Sequence, residues 1–196
     1  MKRRWLTLLL PLTLTACGYN TIQSYDEQAS AAQGQIEVQL QRRADLIPSL
    51  VATVKGFANQ ELAVFGEVAR ARGGLLGAVQ SKDPEQMANA NATMNGALGR
   101  LLAVSEAYPQ LKSDQSFLRL QDELAGTENR VAVARTDYNG AVQQYNSYIR
   151  KFPAVLTAKM TGAKERKYFQ ATSAEAREVP KVDFGTPGAP VTPAKP

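Results

Sequence analysis

Apolar residues recur every three or four positions through the first part of the chain. Ile36, Leu40, Ala44, Ile47, Val51, Val54, Ala58, Leu62, Phe65 and Ala69 form one such stripe. The spacing predicts a first helical region from about Tyr19 to Val79, its end weakened by Gly73, Gly74 and Gly77. Ser81-Lys82-Asp83-Pro84-Glu85 then restarts a helix. Asp83 caps the free amides, Pro84 fits the first helical position, and Glu85 faces the positive end of the helix dipole. The second region, about 84–107, is rich in Ala, Asn and Gly, small enough for close helix approach, and stops at Tyr108-Pro109. Ser113-Asp114 caps a third, about 115–151 and roughly 55 Å long. Its apolar repeat is regular: Phe117, Leu124, Val131, Tyr138, Tyr145 and Phe152 lie seven apart. The interleaved row is Gln121, Glu128, Arg135, Val142 and Ile149. A heptad held this long predicts bundle packing, and Phe152-Pro153 ends the helix.

The connections near 79–84 and 108–114 are short, which makes sequential helices antiparallel neighbours. The expected fold class is therefore all-α, an antiparallel up-and-down helical bundle of three long helical regions spanning residues 19–179. Within 153–179 the pattern is mixed, and Thr172 with Glu175 fits a capping box for a short helix. Residues 180–196, with Pro187, Pro190, Pro193 and Pro196, have little to bury and read as a disordered tail.

Pro48 complicates the first region. It takes the backbone hydrogen bond away from the Ala44 carbonyl, at about 3 kcal/mol in a helix interior. The penalty disappears if a new helix starts there with Asp45 as its cap. Residues 44–48 are thus either a kink in one long helix or a corner between two, and the straight stripe favours the kink.

The amino terminus changes the picture most. Lys2, Arg3 and Arg4 precede a short apolar run, Trp5 to Ala16, in the form of a secretory signal. At twelve residues, with Pro11 inside it, the run is too short to span about 30 Å of hydrocarbon. Leu14-Thr15-Ala16-Cys17 resembles the lipobox of bacterial lipoproteins, and Cys17 is the chain's one cysteine. The resemblance implies removal of residues 1–16 and acylation of Cys17, leaving 17–22 as a lipid-anchored lead into the bundle. Two or more acyl chains anchor stably where one does not. Gly18, in place of an Asp, points to the outer membrane in a diderm cell.

Composition narrows the chemistry. The chain has 196 residues, 44% of them apolar, with no histidine. One cysteine and no histidine exclude an internal disulfide, ordinary zinc sites and histidine-activated nucleophiles. Removing Lys2, Arg3 and Arg4 leaves 20 basic groups against 18 acidic ones, without the clustered basic footprint that nucleic-acid binding needs. No cofactor, metal or catalytic residue is expected.

Three features exceed a plain solvated face. Arg42, Arg43 and Asp45 sit beside Pro48, as a structural hinge or a partner contact; Asp45 would cap, and an arginine would answer carbonyls or a neighbouring acid. Glu128 and Arg135 lie on the apolar seam of the last helix. They either reach its edge and are solvated or form an interhelical ion pair, with Arg70, Arg72 and Glu61 as candidate partners. Tyr138-Asn139 and Tyr145-Asn146 repeat seven apart. The tyrosines pack in the seam with their hydroxyls bonded at its rim, or form a docking stripe for a partner helix or peptide.

Tyr19-Asn20, QLQRRADLIPSLVATVKGFA, EVARARG, the block from LLAVSEAYPQ to YIRKFP, KYFQA and PKVDF together resemble the LemA family over about residues 19–184. The resemblance implies four antiparallel helices on an amino-terminal membrane anchor, and no agreed enzymatic activity. The four-helix count favours the corner at 44–48, to which the reading leans. Many members carry a transmembrane helix as anchor; this chain carries a lipobox instead. The expected function is a non-enzymatic, lipid-anchored envelope scaffold or adaptor that faces the periplasm and binds membrane lipid and protein partners. The alternative is a module that binds cell wall or a small ligand.

Overall fold

The computed structural model describes the backbone of residues 3–171 and the side chains of residues 18–171. The Thr172–Glu175 capping box and the 180–196 tail lie outside the described residues. Six helices and no strand make up the described chain: α1 Arg3–Phe57, α2 Leu62–Ser81, α3 Pro84–Ser105, α4 Pro109–Lys112, α5 Gln115–Arg150 and α6 Ala154–Thr161. The architecture is the expected all-α antiparallel bundle. Its backbone is the α1–α5 pair; α2 and α3 form a hairpin, and α6 bridges the first part of α1 and the last part of α5.

The helix starts follow the capping chemistry. Asp83 accepts hydrogen bonds from the amides of Glu85, at 2.9 Å, and Gln86, with Pro84 in the first turn. Asp114 accepts from the Phe117 amide at 2.9 Å. Lys82 takes a left-handed conformation (φ 54°) to close α2.

The corner expected at 44–48 is absent, because α1 runs unbroken through Pro48. Arg72 on α2 supplies the reason. Its Nε donates to the Ala44 carbonyl at 2.8 Å, the acceptor that Pro48 leaves without its helical amide. Asp45 is not a cap; it is exposed and accepts from Gln41 Nε2, one turn back, at 3.0 Å. The break that yields a further helix lies at 58–61 instead. The apolar stripe holds from Ile36 to Ala58 and then loses phase. Leu62 is 71% exposed and Ala69 is exposed, while α2 buries Phe65, Val68, Ala71, Leu75 and Ala78. Lys55, in the last turn of α1, places its ammonium 5.2 Å from the Phe65 ring across the turn.

In α5 the row Phe117, Leu124, Val131, Tyr138 and Tyr145 is buried, as the heptad predicts, but Phe152 is not, because α5 ends at Arg150 and the turn before Pro153 leaves it exposed. The interleaved row is not fixed. It consists of Thr127 and Ala134 in the first half and Val142 and Ile149 in the second. Thr127 and Ala134 follow Leu124 and Val131 by three residues, whereas Val142 and Ile149 follow Tyr138 and Tyr145 by four. In the first half the fourth positions are therefore the outer ones, with Glu128 at the rim and Arg135 in solvent.

Candidate functional site

Arg43 lies at the centre of the bundle. The apolar stripe of α1 faces chiefly α5 and then α2, with α3 reaching it in places, and Arg43 falls on that stripe in the heptad of Ile36 and Leu50. Its residue is 4% exposed. The guanidinium meets Glu128 of α5 in an ion pair through Nη1. Nη1 also donates to Asn91 Oδ1 at 3.0 Å, and Nη2 donates to Asn95 Oδ1. Asn95 Nδ2 in turn donates to the second carboxylate oxygen of Glu128 at 3.2 Å. Four side chains from three helices therefore close one network, and of their fully buried polar atoms only the Arg43 Nε has no partner. Burial lowers the pKa of the guanidinium to about 10, which leaves it charged at neutral pH.

The interhelical ion pair expected at Glu128 is present, and its partner is Arg43 rather than Arg70, Arg72 or Glu61. Arg135 does not share in it. It is exposed and lines a wide groove with Asn139, Tyr168 and Gln170. Asn91 and Asn95 escaped the sequence reading, which took the Asn-rich α3 as a close-packing surface. Their spacing of four, on one helix face, was the available signal. Between α3 and α5 a cleft of about 270 Å³ opens onto this network, walled by Leu98, Leu102 and Leu124.

Arg42 and Asp45 point the other way. With Val38, which is 58% exposed, and Val79 they line a shallow groove of about 490 Å³ on the outer face of α1. The stretch thus splits into a buried structural arginine and an exposed pair.

The Tyr-Asn repeat has an occupant, and it belongs to the chain itself. Residues 163–171 run without helix along α5. Asn146 accepts from the Arg166 amide and donates to the Arg166 carbonyl, both at 2.9 Å. Asn139 does the same for Phe169, accepting at 2.9 Å and donating at 3.3 Å. The spacing explains the match: seven residues of helix and three of extended chain both cover about 10 Å. Tyr138 donates its hydroxyl to the Lys167 carbonyl at 2.8 Å. Burial raises the pKa of both Tyr138 and Tyr145. Tyr138 and Tyr145 are thus seam residues, 1% and 4% exposed, and Tyr138 bonds its hydroxyl at the rim. Arg166 secures the segment to α1 through Asp26, at 2.7 Å, and stacks over Tyr145. Lys167 reaches Asp83 at the start of α3, at 2.9 Å.

Leu14, Thr15, Ala16 and Cys17 continue the backbone of α1, and their side chains lie outside the described residues. Among the described residues no helix is long and apolar enough to cross a membrane.

Comparison with known proteins adds a family model, described as LemA family, that matches residues 32–184. Magnetosome protein MamQ 1 and magnetosome protein MamQ 2 of Paramagnetospirillum magneticum are each 31% identical over 175 residues, covering 78% of this chain and 64% of theirs. Magnetosome protein MamQ of Magnetospirillum gryphiswaldense is 28% identical over 187 residues, covering 84% of this chain and 69% of its own. The chain spans less than two thirds of the length of the two Paramagnetospirillum relatives.

Proposed function

The chain belongs to the LemA family, and on that premise we propose that it is a lipid-anchored helical-bundle scaffold of the bacterial envelope, with no catalysis of its own. The observation that carries this reading is Cys17. It is the one cysteine of the chain, and it follows Leu14-Thr15-Ala16 directly at the end of a short apolar run. Acylated there, the protein faces the periplasm, and Gly18 directs it to the outer membrane of a diderm cell. The fold supports a scaffold because its polar chemistry is turned inward. Arg43, Asn91, Asn95 and Glu128 satisfy one another, which locks helices together and leaves little to act on a substrate. The outer groove of Val38, Arg42 and Asp45 is a surface a protein partner could read.

Fatty-acid labelling in cells tests the anchor. The wild type should take label and fractionate with membranes, and Cys17→Ser should do neither. Equal membrane recovery of the two would overturn it. For the scaffold role, partners captured from solubilised membranes should be lost with a folded Val38→Asp/Arg42→Glu variant. An unchanged set of partners would remove that groove from the reading.

A second reading is favoured by the cleft beside Leu98, Leu102 and Leu124. Its apolar wall ends on the Arg43–Glu128 pair, the arrangement of a small-ligand site. At about 270 Å³ it falls below the roughly 300–1,000 Å³ of ordinary ligand pockets, so this reading ranks second. Retention on isolated cell wall, abolished by Gly99→Leu, would promote it.

A further inference from the structure

Helix α6 carries more apolar surface than the bundle uses. Of its eight residues only Lys159 is charged, and Ala154, Thr157 and Ala158 face inward. Its other side is apolar as well: Leu156 is 53% exposed and Met160 81%, with Phe152, 82% exposed, one turn ahead. Leu156 and Met160 lie four apart on one face of α6, and Phe152 stands in the turn just before its start. Single exposed apolar residues are ordinary; a contiguous row on a helix that is already packed marks an interface.

Charge surrounds the row. Lys151, Lys159 and Lys164 are all exposed. Between Arg150 and Lys167 the one carboxylate is Glu165, which pairs with Arg150 at 3.5 Å. The position of α6 is equally specific. A methyl group built on Gly18 would stand 3.3 Å from Thr157 Oγ1, so α1 passes directly against α6 one residue after Cys17.

We propose that Phe152, Leu156 and Met160, ringed by Lys151, Lys159 and Lys164, dock α6 onto an anionic lipid surface, the one that holds the acyl chains of Cys17. This rests on the anchored reading above and adds an orientation to it. Apolar side chains enter the headgroup boundary while the lysines meet anionic lipid. The bundle then stands at a fixed angle instead of swinging from its anchor. A second copy of the chain fits the face less well, since a twofold contact would set the same lysines against each other.

Trp5 is the chain's one tryptophan and leaves with residues 1–16, so the acylated protein has none and the test is direct. In the acylated protein with Met160→Trp, emission reports α6 alone, and vesicle flotation reports attachment separately. In vesicles containing phosphatidylglycerol the emission should shift to the blue and be quenched by lipids brominated near the headgroup. Lys151→Glu/Lys159→Glu should reverse both changes while flotation persists. Protein that floats with an unshifted, unquenched tryptophan overturns the docking and leaves the anchor standing. Protein that does not float overturns both. A blue shift without lipid, at the sedimentation mass of a dimer, gives the face to a second copy and also overturns the proposal.

Discussion

Near its middle α5 meets a buried arginine; eleven residues further on it meets a length of backbone. At Glu128 the contact is ionic, made to a guanidinium that water does not reach and that two asparagines also hold. At Asn139 and Asn146 it is neutral, with side-chain amides pairing against the N–H and C=O of Phe169 and Arg166 as a neighbouring strand would. Both join distant parts of the chain, yet they fail differently. A buried charge without its partner cannot be neutralised cheaply, whereas an amide ladder loses one rung at a time.

The largest effect should therefore come at the ionic contact. Glu128→Ala should cost about 3 kcal/mol in urea unfolding, towards the lower end for a buried pair because Glu128 is partly exposed. Arg43→Met with Glu128→Leu should recover most of that loss. If the double variant is as weak as the single one, the asparagines rather than the charge dominate, and the contrast fails. Asn146→Ala comes next, at about 2 kcal/mol, since two hydrogen bonds to Arg166 go together. Its mark should be local: faster hydrogen exchange at the Arg166 amide, with the amides around Glu128 unchanged.

Arg72 is an intermediate case, a charge that answers a neutral carbonyl. Arg72→Met should cost about 1.5 kcal/mol. In a Pro48→Ala background the cost should shrink, because the residue-48 amide then satisfies Ala44. Equal costs in both backgrounds would dissociate Arg72 from the proline.

The smallest effect belongs to the surface pair of exposed Lys167 and half-buried Asp83. The hydrogen bond from Lys167 holds the Asp83 carboxyl below its usual 3.8, with the Gln86 and Glu85 amides adding to it. A depressed carboxylate stabilises the folded state above its unfolded pKa, and that contribution is lost as pH falls through the lower folded value. The wild type should lose this increment as pH falls below the usual carboxylate range and through the lower folded value. Asp83→Asn, which keeps a capping side chain, should lack that part of the slope.

How much of this was legible in the sequence depends on the distance each feature spans. Caps at Asp83 and Asp114 are local chemistry and were readable residue by residue. The column from Phe117 to Tyr145 needed only one period. Glu128 could be singled out as a charge needing a partner, but not which partner, because Arg43 lies on another helix 85 residues away. Pro48 was misjudged for the same reason: local rules count the lost bond, while its replacement comes from 28 residues downstream. Arg135 was misplaced because the residues beside that column change along α5, from Thr127 and Ala134 three positions on to Val142 and Ile149 four positions on. The segment 163–171 shows neither helical nor alternating pattern because side chains on α5 satisfy its backbone.

The length of α1 has a mechanical meaning. From Gly18 to Phe57 it rises about 60 Å without interruption, and α5 runs antiparallel beside it over much of that distance. The two helices act as a strut whose ends are α6 at one pole and the 58–61 turn at the other. Matched insertion of seven residues in both would raise the far pole by about 10 Å and keep every facing residue in register. An unmatched insertion would separate Arg43 from Glu128. Stature in this molecule can therefore change only in paired heptad steps, and the Arg43–Glu128 contact is what enforces the pairing.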